Sequence, residues 1–152
     1  MLKYKKTPLV RLVAVILIFA LTLPVAATAA KVETVQPRAS DYLTSYNSYI
    51  YPAGNGLIQT WFTVTGAGYQ EALGALVIQI YESTDNVNWT WVTAFNHKYN
   101  PDMMGYNVYY HSGHVDYQGV AGRYYKAYVS IWGGGLTIGD NRYFWTAVKK
   151  AT

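Results

Sequence analysis

The chain has 152 residues, no cysteine and a formal net charge of +4. This length favours a single domain, and without cysteine that domain is held by packing and hydrogen bonds rather than disulfides. The charge does not indicate a nucleic-acid partner, because four of the 12 basic residues lie in the first thirty positions and the remaining eight (12 − 4) balance the eight acidic residues.

Residues 1–29 have the composition of a secretory signal peptide. Basic residues precede an apolar run from Leu12 to Leu23, and Ala27-Thr28-Ala29 provides the small side chains that signal peptidase requires. The run is shorter than the roughly 18 residues of a membrane-spanning helix. We therefore expect cleavage between Ala29 and Lys31, membrane contact only before cleavage, and a secreted, extracellular product. An uncleaved N-terminal anchor is the alternative.

Residues 30–40 contain Pro37 and no periodic pattern, which predicts a flexible lead-in to a domain over residues 41–152. In that domain, segments rich in β-branched and aromatic residues alternate with turn residues, at 52–56, 66–68, 85–86, 100–102, 119–122 and 133–135. This spacing is typical of an all-β fold, a single antiparallel β-sandwich of about seven strands. The only helical structure that the pattern suggests is one turn at 69–74.

Alternation of apolar and polar residues predicts which side chains face the core. The clearest case is the segment 124–132, where Tyr125, Ala127, Val129 and Ile131 are expected to point inward. The same test selects further core residues in three other segments: Ile58, Phe62, Val64, Leu76, Ile78, Ile80, Tyr106, Val108 and Tyr110. Residues 75–96 are predicted to form a β-hairpin whose short connection contains Asp85-Asn86.

Two segments resemble parts of known exported domains. Residues 80–90, with an acidic turn followed by Trp89, resemble a hairpin of many bacterial exported sandwich domains. Residues 122–129 resemble the penultimate strand of immunoglobulin-like and fibronectin-type sandwiches, which implies a tyrosine-corner role for Tyr125 and puts Ala127 where antibody domains have a disulfide cysteine. Residues 40–150 as a whole resemble small exported proteins of Gram-positive bacteria that share a domain of unknown function. These resemblances imply an immunoglobulin-like fold and a location, but no activity.

The densest polar cluster lies at 110–116 and contains His111, Ser112, His114 and Asp116. In an extended strand the two histidines point to opposite faces, so only His114 and Asp116 share a face, which is too few ligands for a metal site. A bulge at Ser112-Gly113 would bring them together. The serine lacks the Gly-x-Ser-x-Gly elbow, and no glycine cluster matches a nucleotide-binding loop. We therefore expect no catalytic residue, metal or cofactor, with a small hydrolase as a weak alternative.

Aromatic side chains provide the candidate binding site. If residues 123–132 pair with 142–148 as a hairpin, five of these side chains share one sheet face: Tyr124, Tyr128, Trp132, Tyr143 and Trp145. Such a face can stack on sugars or anchor a protein partner. It could instead be covered by the N-terminal strand or form a stabilising aromatic ladder, and Phe144 and Val148 could take the exposed side.

The sequence therefore predicts an extracellular, non-enzymatic binding module for a glycan or the cell wall. A protein-interaction or self-assembly domain is the alternative, because the same aromatic face could bind a protein.

Overall fold

A computed structural model of the protein describes residues 40–152, and strands dominate them. In chain order the elements are β1 (Leu43–Gly54), β2 (Leu57–Ser83), β3 (Thr90–Asn96), a 3-10 helix (Pro101–Met103), β4 (Met104–Gln118), β5 (Tyr124–Gly134), β6 (Gly139–Trp145) and β7 (Lys149–Lys150). Every strand pairing is antiparallel. The predicted all-β class and the strand number are confirmed. The predicted signal peptide and nearly all of the lead-in lie outside the described residues.

Strand β2 joins the two halves of the sheet because it is 27 residues long. Its first part, up to Thr65, pairs with β1 on one edge and with β4 on the other. The pairing with β4 resumes at Gln70 and continues to Gly74, the pairing with β5 begins at Ala72, and the pairing with β3 begins at Val77. Strand β5 also pairs with β6 and β7. All seven strands therefore belong to one continuous sheet that curls around the core. Among the described residues, no helix has the length and apolar character needed to span a membrane.

Residues 66–74 carry β2 from one half of the sheet to the other without a break. The predicted turn at 66–68 and the predicted helical turn at 69–74 are both wrong, since the chain stays extended and only its register with β4 shifts, between Thr65 and Gln70. Gly74 lies directly against the 3-10 helix, where a Cβ atom would collide with the carbonyl oxygen of Met103. The close approach of the two backbones at this point requires a glycine.

The core lies inside the curl and matches most of the predicted core residues. The four inward residues of β5 are fully buried, as are Ile58, Phe62, Val64, Ile78 and Ile80. Val108 is half-buried and packs against this core. The hairpin predicted for residues 75–96 is confirmed by the pairing of β2 with β3.

Three core predictions are wrong, and each fails at a place where alternation is interrupted. Leu76 is the extra residue of a β-bulge. Ala75 and Val77, on either side of it, pair with two adjacent residues of β5, Ile131 and Ser130, so Leu76 has no partner in β5. Its side chain therefore turns to the outer face.

The other two errors lie in β4, where Tyr106 is 58% exposed and Tyr110 is 49% exposed. Asn107 has a left-handed backbone (φ 53°), and the register with β2 shifts between Val108 and Tyr110. Each irregularity places two consecutive side chains on the outside.

Tyr125 anchors the end of β5 with its hydroxyl group. The hydroxyl accepts a hydrogen bond from the backbone N–H of Val120 (2.8 Å) and donates one to Glu82 Oε2 (3.1 Å). The other oxygen of Glu82 forms an ion pair with Arg123 Nη1 at 2.6 Å. The buried hydroxyl therefore ties the start of β5 to the backbone five residues upstream and to the end of β2.

Candidate functional site

Strands β5 and β6 form the predicted hairpin, and its register decides which aromatic side chains are exposed. Tyr128 lies opposite Trp145, and Ser130 lies opposite Tyr143. Phe144 points inward and packs against the core. Tyr143 and Trp145 are therefore on the outer face, where they are 58% and 48% exposed.

Four rings on this outer face contact one another, and we call them the aromatic cluster: Tyr81, Tyr128, Tyr143 and Trp145. Tyr128 stacks on Tyr143, with centroids 6.1 Å apart and ring planes inclined by 15°. Trp145 lies 4.9 Å from Tyr128 and meets Tyr81 edge-on at 5.0 Å. Because the rings stand on three hydrogen-bonded strands and support one another, the cluster is a rigid apolar surface.

A lysine packs against one end of the aromatic cluster. The ammonium group of Lys126 lies 4.3 Å from the ring centroid of Trp89 and 4.5 Å from that of Trp145. Both distances are within the range of cation–π attraction. Lys126 therefore links the β2–β3 connection to the cluster and holds two indole rings in place.

The β2–β3 connection, which positions Trp89, is ordered by the carboxylate of Asp85. Its oxygens accept hydrogen bonds from the backbone N–H groups of Asn88 (2.8 Å) and Val87 (2.9 Å) and from the side chains of Asn88 and Ser83. These bonds, the backbone bond from Asn88 above all, hold the pKa of Asp85 well below its usual range. The carboxylate therefore stays ionised as the acceptor of this turn.

A groove of about 290 Å³ adjoins the aromatic cluster, and we call it the β5 groove; its lining residues are Leu76, Val77, Gln79, Tyr128, Ser130, Asn141 and Tyr143. Its polar side chains are already oriented, since the Ser130 hydroxyl donates to Asn141 Oδ1 (2.8 Å) and the Asn141 amide donates to the Tyr143 hydroxyl (2.8 Å). Tyr81 donates in the same way to Gln79 Oε1 (3.1 Å). The groove therefore combines ring faces with uncharged hydrogen-bonding groups.

Of the five predicted binding residues, the structure brings three into contact: Tyr128, Tyr143 and Trp145. Tyr124 lies at the opposite end of β5 from Trp132, with the Lys150 ammonium 5.3 Å from its ring centroid. Trp132 is also separate from the cluster, with its indole N–H donating to the Gly135 carbonyl (3.2 Å).

Sequence reasoning did not predict Tyr81, Trp89 or Lys126 as parts of this face. The inward positions of Ile78 and Ile80 already implied that Tyr81 faces outward. What alternation could not show is that β2 pairs with β5, which places Tyr81 opposite Lys126.

The polar cluster of β4 is divided between the two faces of its strand, as predicted. His111 faces inward, with Nε2 2.9 Å from the Asp102 carbonyl oxygen. His114 faces outward, stacks on Trp61 with centroids 4.3 Å apart, and has Nε2 3.6 Å from Asp116 Oδ1. Within residues 40–152, no three histidine or carboxylate side chains are grouped so that they could hold a metal ion.

A larger hollow, of about 460 Å³, lies beside this strand and includes Asp102, His114 and Asp116 in its lining. Among the described residues, the ring contact of its lining is the stack of His114 on Trp61, whereas four rings contact one another beside the β5 groove. We therefore regard the β5 groove as the better candidate site.

No protein-family model and no curated protein matches the chain. Among solved structures, the chain is similar to a family 76 glycoside hydrolase from a bovine Bacteroides thetaiotaomicron strain, with 13% sequence identity and a TM-score of 0.31. The similarity covers 70% of this chain and 20% of the hydrolase, so the chain spans about a fifth of that protein. A likeness at this level carries no argument about function.

Proposed function

We propose that the protein is a non-enzymatic binding module that acts outside the cell on a glycan, including glycans of the cell wall. The observation that carries this proposal is the aromatic cluster beside the β5 groove. Sugar rings have apolar C–H faces and hydroxyl edges. A ligand of this kind needs ring faces for stacking and neutral polar groups for its hydroxyls, and both are present on one sheet face.

The rigidity of this face supports binding as well as stability. Tyr143 and Trp145 stand on strands rather than loops, and hydrogen bonds already orient Asn141 and Ser130. Binding therefore orders few side chains, which lowers its entropic cost. The groove of about 290 Å³ gives a ligand space to contact these rings together with Gln79, Ser130 and Asn141.

A titration of tryptophan fluorescence with soluble cell-wall glycans and common polysaccharides tests the proposal, because Trp145 and Trp89 lie at the site. We expect a saturable shift for the wild type. Tyr143→Ala should weaken binding about tenfold, as is common for a central aromatic contact. Tyr51→Ala is the matched control, since Tyr51 is 55% exposed and lies on β1, outside the groove.

Equal affinities of Tyr143→Ala and wild type would contradict the assignment of the site. A complete lack of signal with every glycan would contradict glycan binding and favour a protein partner.

Self-assembly is a second candidate function, because the outer edge of β6 pairs with no other described strand. An unpaired strand edge is a template for pairing with another chain, and Tyr143 and Trp145 would lie at that contact. Sedimentation at increasing protein concentration measures this directly. A monomer at all concentrations would exclude it, whereas a dimer that Tyr143→Ala dissociates would support it.

A further inference from the structure

A second hollow lies next to the β5 groove on the same face, on the other side of Leu76. This second hollow, which we call the Trp132 hollow, has a volume of about 240 Å³ and is lined by Ala72, Leu76, His97, Met104, Tyr106, Trp132 and Leu136. Leu76 lines both spaces. Because the bulge turns Leu76 outward, this side chain forms a shared wall, and the two hollows are neighbours along β5.

Trp132 is held in place by one hydrogen bond and by close packing. Its indole N–H donates to the Gly135 carbonyl (3.2 Å), and its ring edge lies over Gly139, where a Cβ atom would be only 2.7 Å from the ring. A residue larger than glycine at 139 would displace the indole. The hairpin therefore presents a second fixed aromatic surface at the opposite end of the face from Trp145.

The two aromatic surfaces are farther apart than one sugar ring can span. Tyr128 and Trp132 lie on the same face of β5, four residues apart, and at about 3.3 Å per residue their separation is about 13 Å. A monosaccharide could contact one surface only. An extended chain of several sugars could contact both.

The lining of both hollows contains no aspartate, glutamate, lysine or arginine. Its histidine, His97, has a pKa below the usual value because burial disfavours the charged imidazole, with Lys98 adding to the effect. His97 is therefore mainly neutral at pH 7. A charged ligand would lose water here without gaining a partner of opposite sign, which is costly.

Three charges flank the two hollows: Lys98, which is close enough to lower the pKa of His97, and two further groups that are already engaged. The Lys126 ammonium lies between the rings of Trp89 and Trp145. Glu71 Oε2 accepts a hydrogen bond from the backbone N–H of Leu136 (3.1 Å). Because the three charges include both signs, neither a polyanion nor a polycation would be favoured along the whole face.

From these observations we propose that the face binds a linear, uncharged polysaccharide, which lies along β5 from the aromatic cluster to Trp132. This inference rests on the proposed function and specifies its ligand. The aromatic cluster and β5 groove form one subsite, and the Trp132 hollow forms a second subsite that only longer chains reach. Affinity should therefore depend on chain length and on the absence of charge.

Calorimetric titration with oligosaccharides of glucose, N-acetylglucosamine, mannose and xylose, from disaccharides to hexasaccharides, tests this inference. For the series that binds, we expect the affinity to rise about tenfold or more with length and then level off, since a second aromatic contact contributes at least this much. Deacetylated, cationic oligomers and anionic oligogalacturonates should bind at least about tenfold more weakly.

Two variants in the second subsite and one in the first distinguish the two subsites. Tyr106→Ala should reduce the affinity for the hexasaccharide to that for the short oligomers and leave the short oligomers unaffected. Trp132→Ala should have the same effect. Tyr106→Ala is included because Trp132→Ala could impair folding, whereas Tyr106 is 58% exposed. Tyr143→Ala should weaken all lengths, whereas Tyr51→Ala should change none.

Each outcome is decisive. Affinities that do not depend on length, hexasaccharide binding that both Tyr106→Ala and Trp132→Ala leave intact, or equal binding of charged oligomers would overturn the extended site while leaving glycan binding in place. If no oligosaccharide of any length binds, the proposed function itself is wrong, and this inference is overturned with it.

Discussion

Replacing Tyr125 by phenylalanine removes one oxygen atom from a fully buried side chain, and its cost can be worked out from the structure. The change deletes the 2.8 Å bond from the Val120 N–H and the 3.1 Å bond to Glu82. An ordinary hydrogen bond contributes about 1 kcal/mol to stability, and a bond to a charged group contributes about 1.5–3 kcal/mol. Because Glu82 keeps its ion pair with Arg123 and the bond to it is long, we expect a loss of about 2 kcal/mol in total.

Urea denaturation followed by tryptophan fluorescence measures this loss. With a slope of about 1–3 kcal/mol per molar urea, the midpoint should fall by about 1 M while the slope stays unchanged. Tyr117→Phe is the matched control, because its ring lies 6.0 Å from that of Tyr125 and its hydroxyl has no hydrogen-bond partner among the described residues. A midpoint for Tyr125→Phe that coincides with that of Tyr117→Phe would refute the role of the hydroxyl.

The same tyrosine gives the stability a pH dependence at alkaline pH. Burial raises the pKa of Tyr125, and the neighbouring Glu82 raises it further, although the hydrogen bond from Val120 acts in the opposite direction. A raised pKa means that the folded protein holds the proton more tightly than the unfolded chain does. This stabilisation is complete below the unfolded pKa of about 10 and is lost as the pH rises through the folded value. Wild type should therefore lose more stability above about pH 10 than Tyr125→Phe does.

Two further predictions concern single residues of β2 and of the connection that follows it. Gly74→Ala should destabilise the protein by about 1–3 kcal/mol because of the collision with Met103, whereas Gly68→Ala should cost clearly less, since Gly68 has nearly the same φ (157° against 159°) and nothing within 4 Å of its Cβ position. Equal urea midpoints of Gly74→Ala and Gly68→Ala would show that the contact of Gly74 with Met103 does not limit the size of this residue. The pKa of Asp85 is lowered by its hydrogen bonds, so its contribution to stability is present above about pH 4 and is lost as the pH falls below that value. Wild type should therefore lose more stability in acid than Asp85→Asn. An equal loss of unfolding free energy in the two proteins between about pH 4 and lower pH would contradict this.

Alternation of apolar and polar residues correctly predicted which side chains face the core wherever a strand is regular. The inward side chains of β5, from Tyr125 to Ile131, were predicted correctly because no bulge interrupts that part of the strand. Leu76 and Tyr106 were not, because a β-bulge and a left-handed residue change the phase of alternation, and neither leaves a signal in the pattern of apolar residues.

The candidate site was predictable only in part for a related reason. Tyr143 and Trp145 lie in the strand that follows β5, so one hairpin places them beside Tyr128. Tyr81 and Lys126 meet across strands that are distant in sequence, and no local pattern shows such a pairing.

The length of β2 has a consequence for the rate of folding. Four other strands pair with β2. Two of them, β4 and β5, come later in the chain and are separated from β2 by β3 and the 3-10 helix. Closing these long loops costs entropy before the contacts form. Domains dominated by non-local pairing fold in about milliseconds to seconds. Until β5 reaches it, the chain therefore carries a long, apolar strand with an open edge, which is the state most exposed to aggregation.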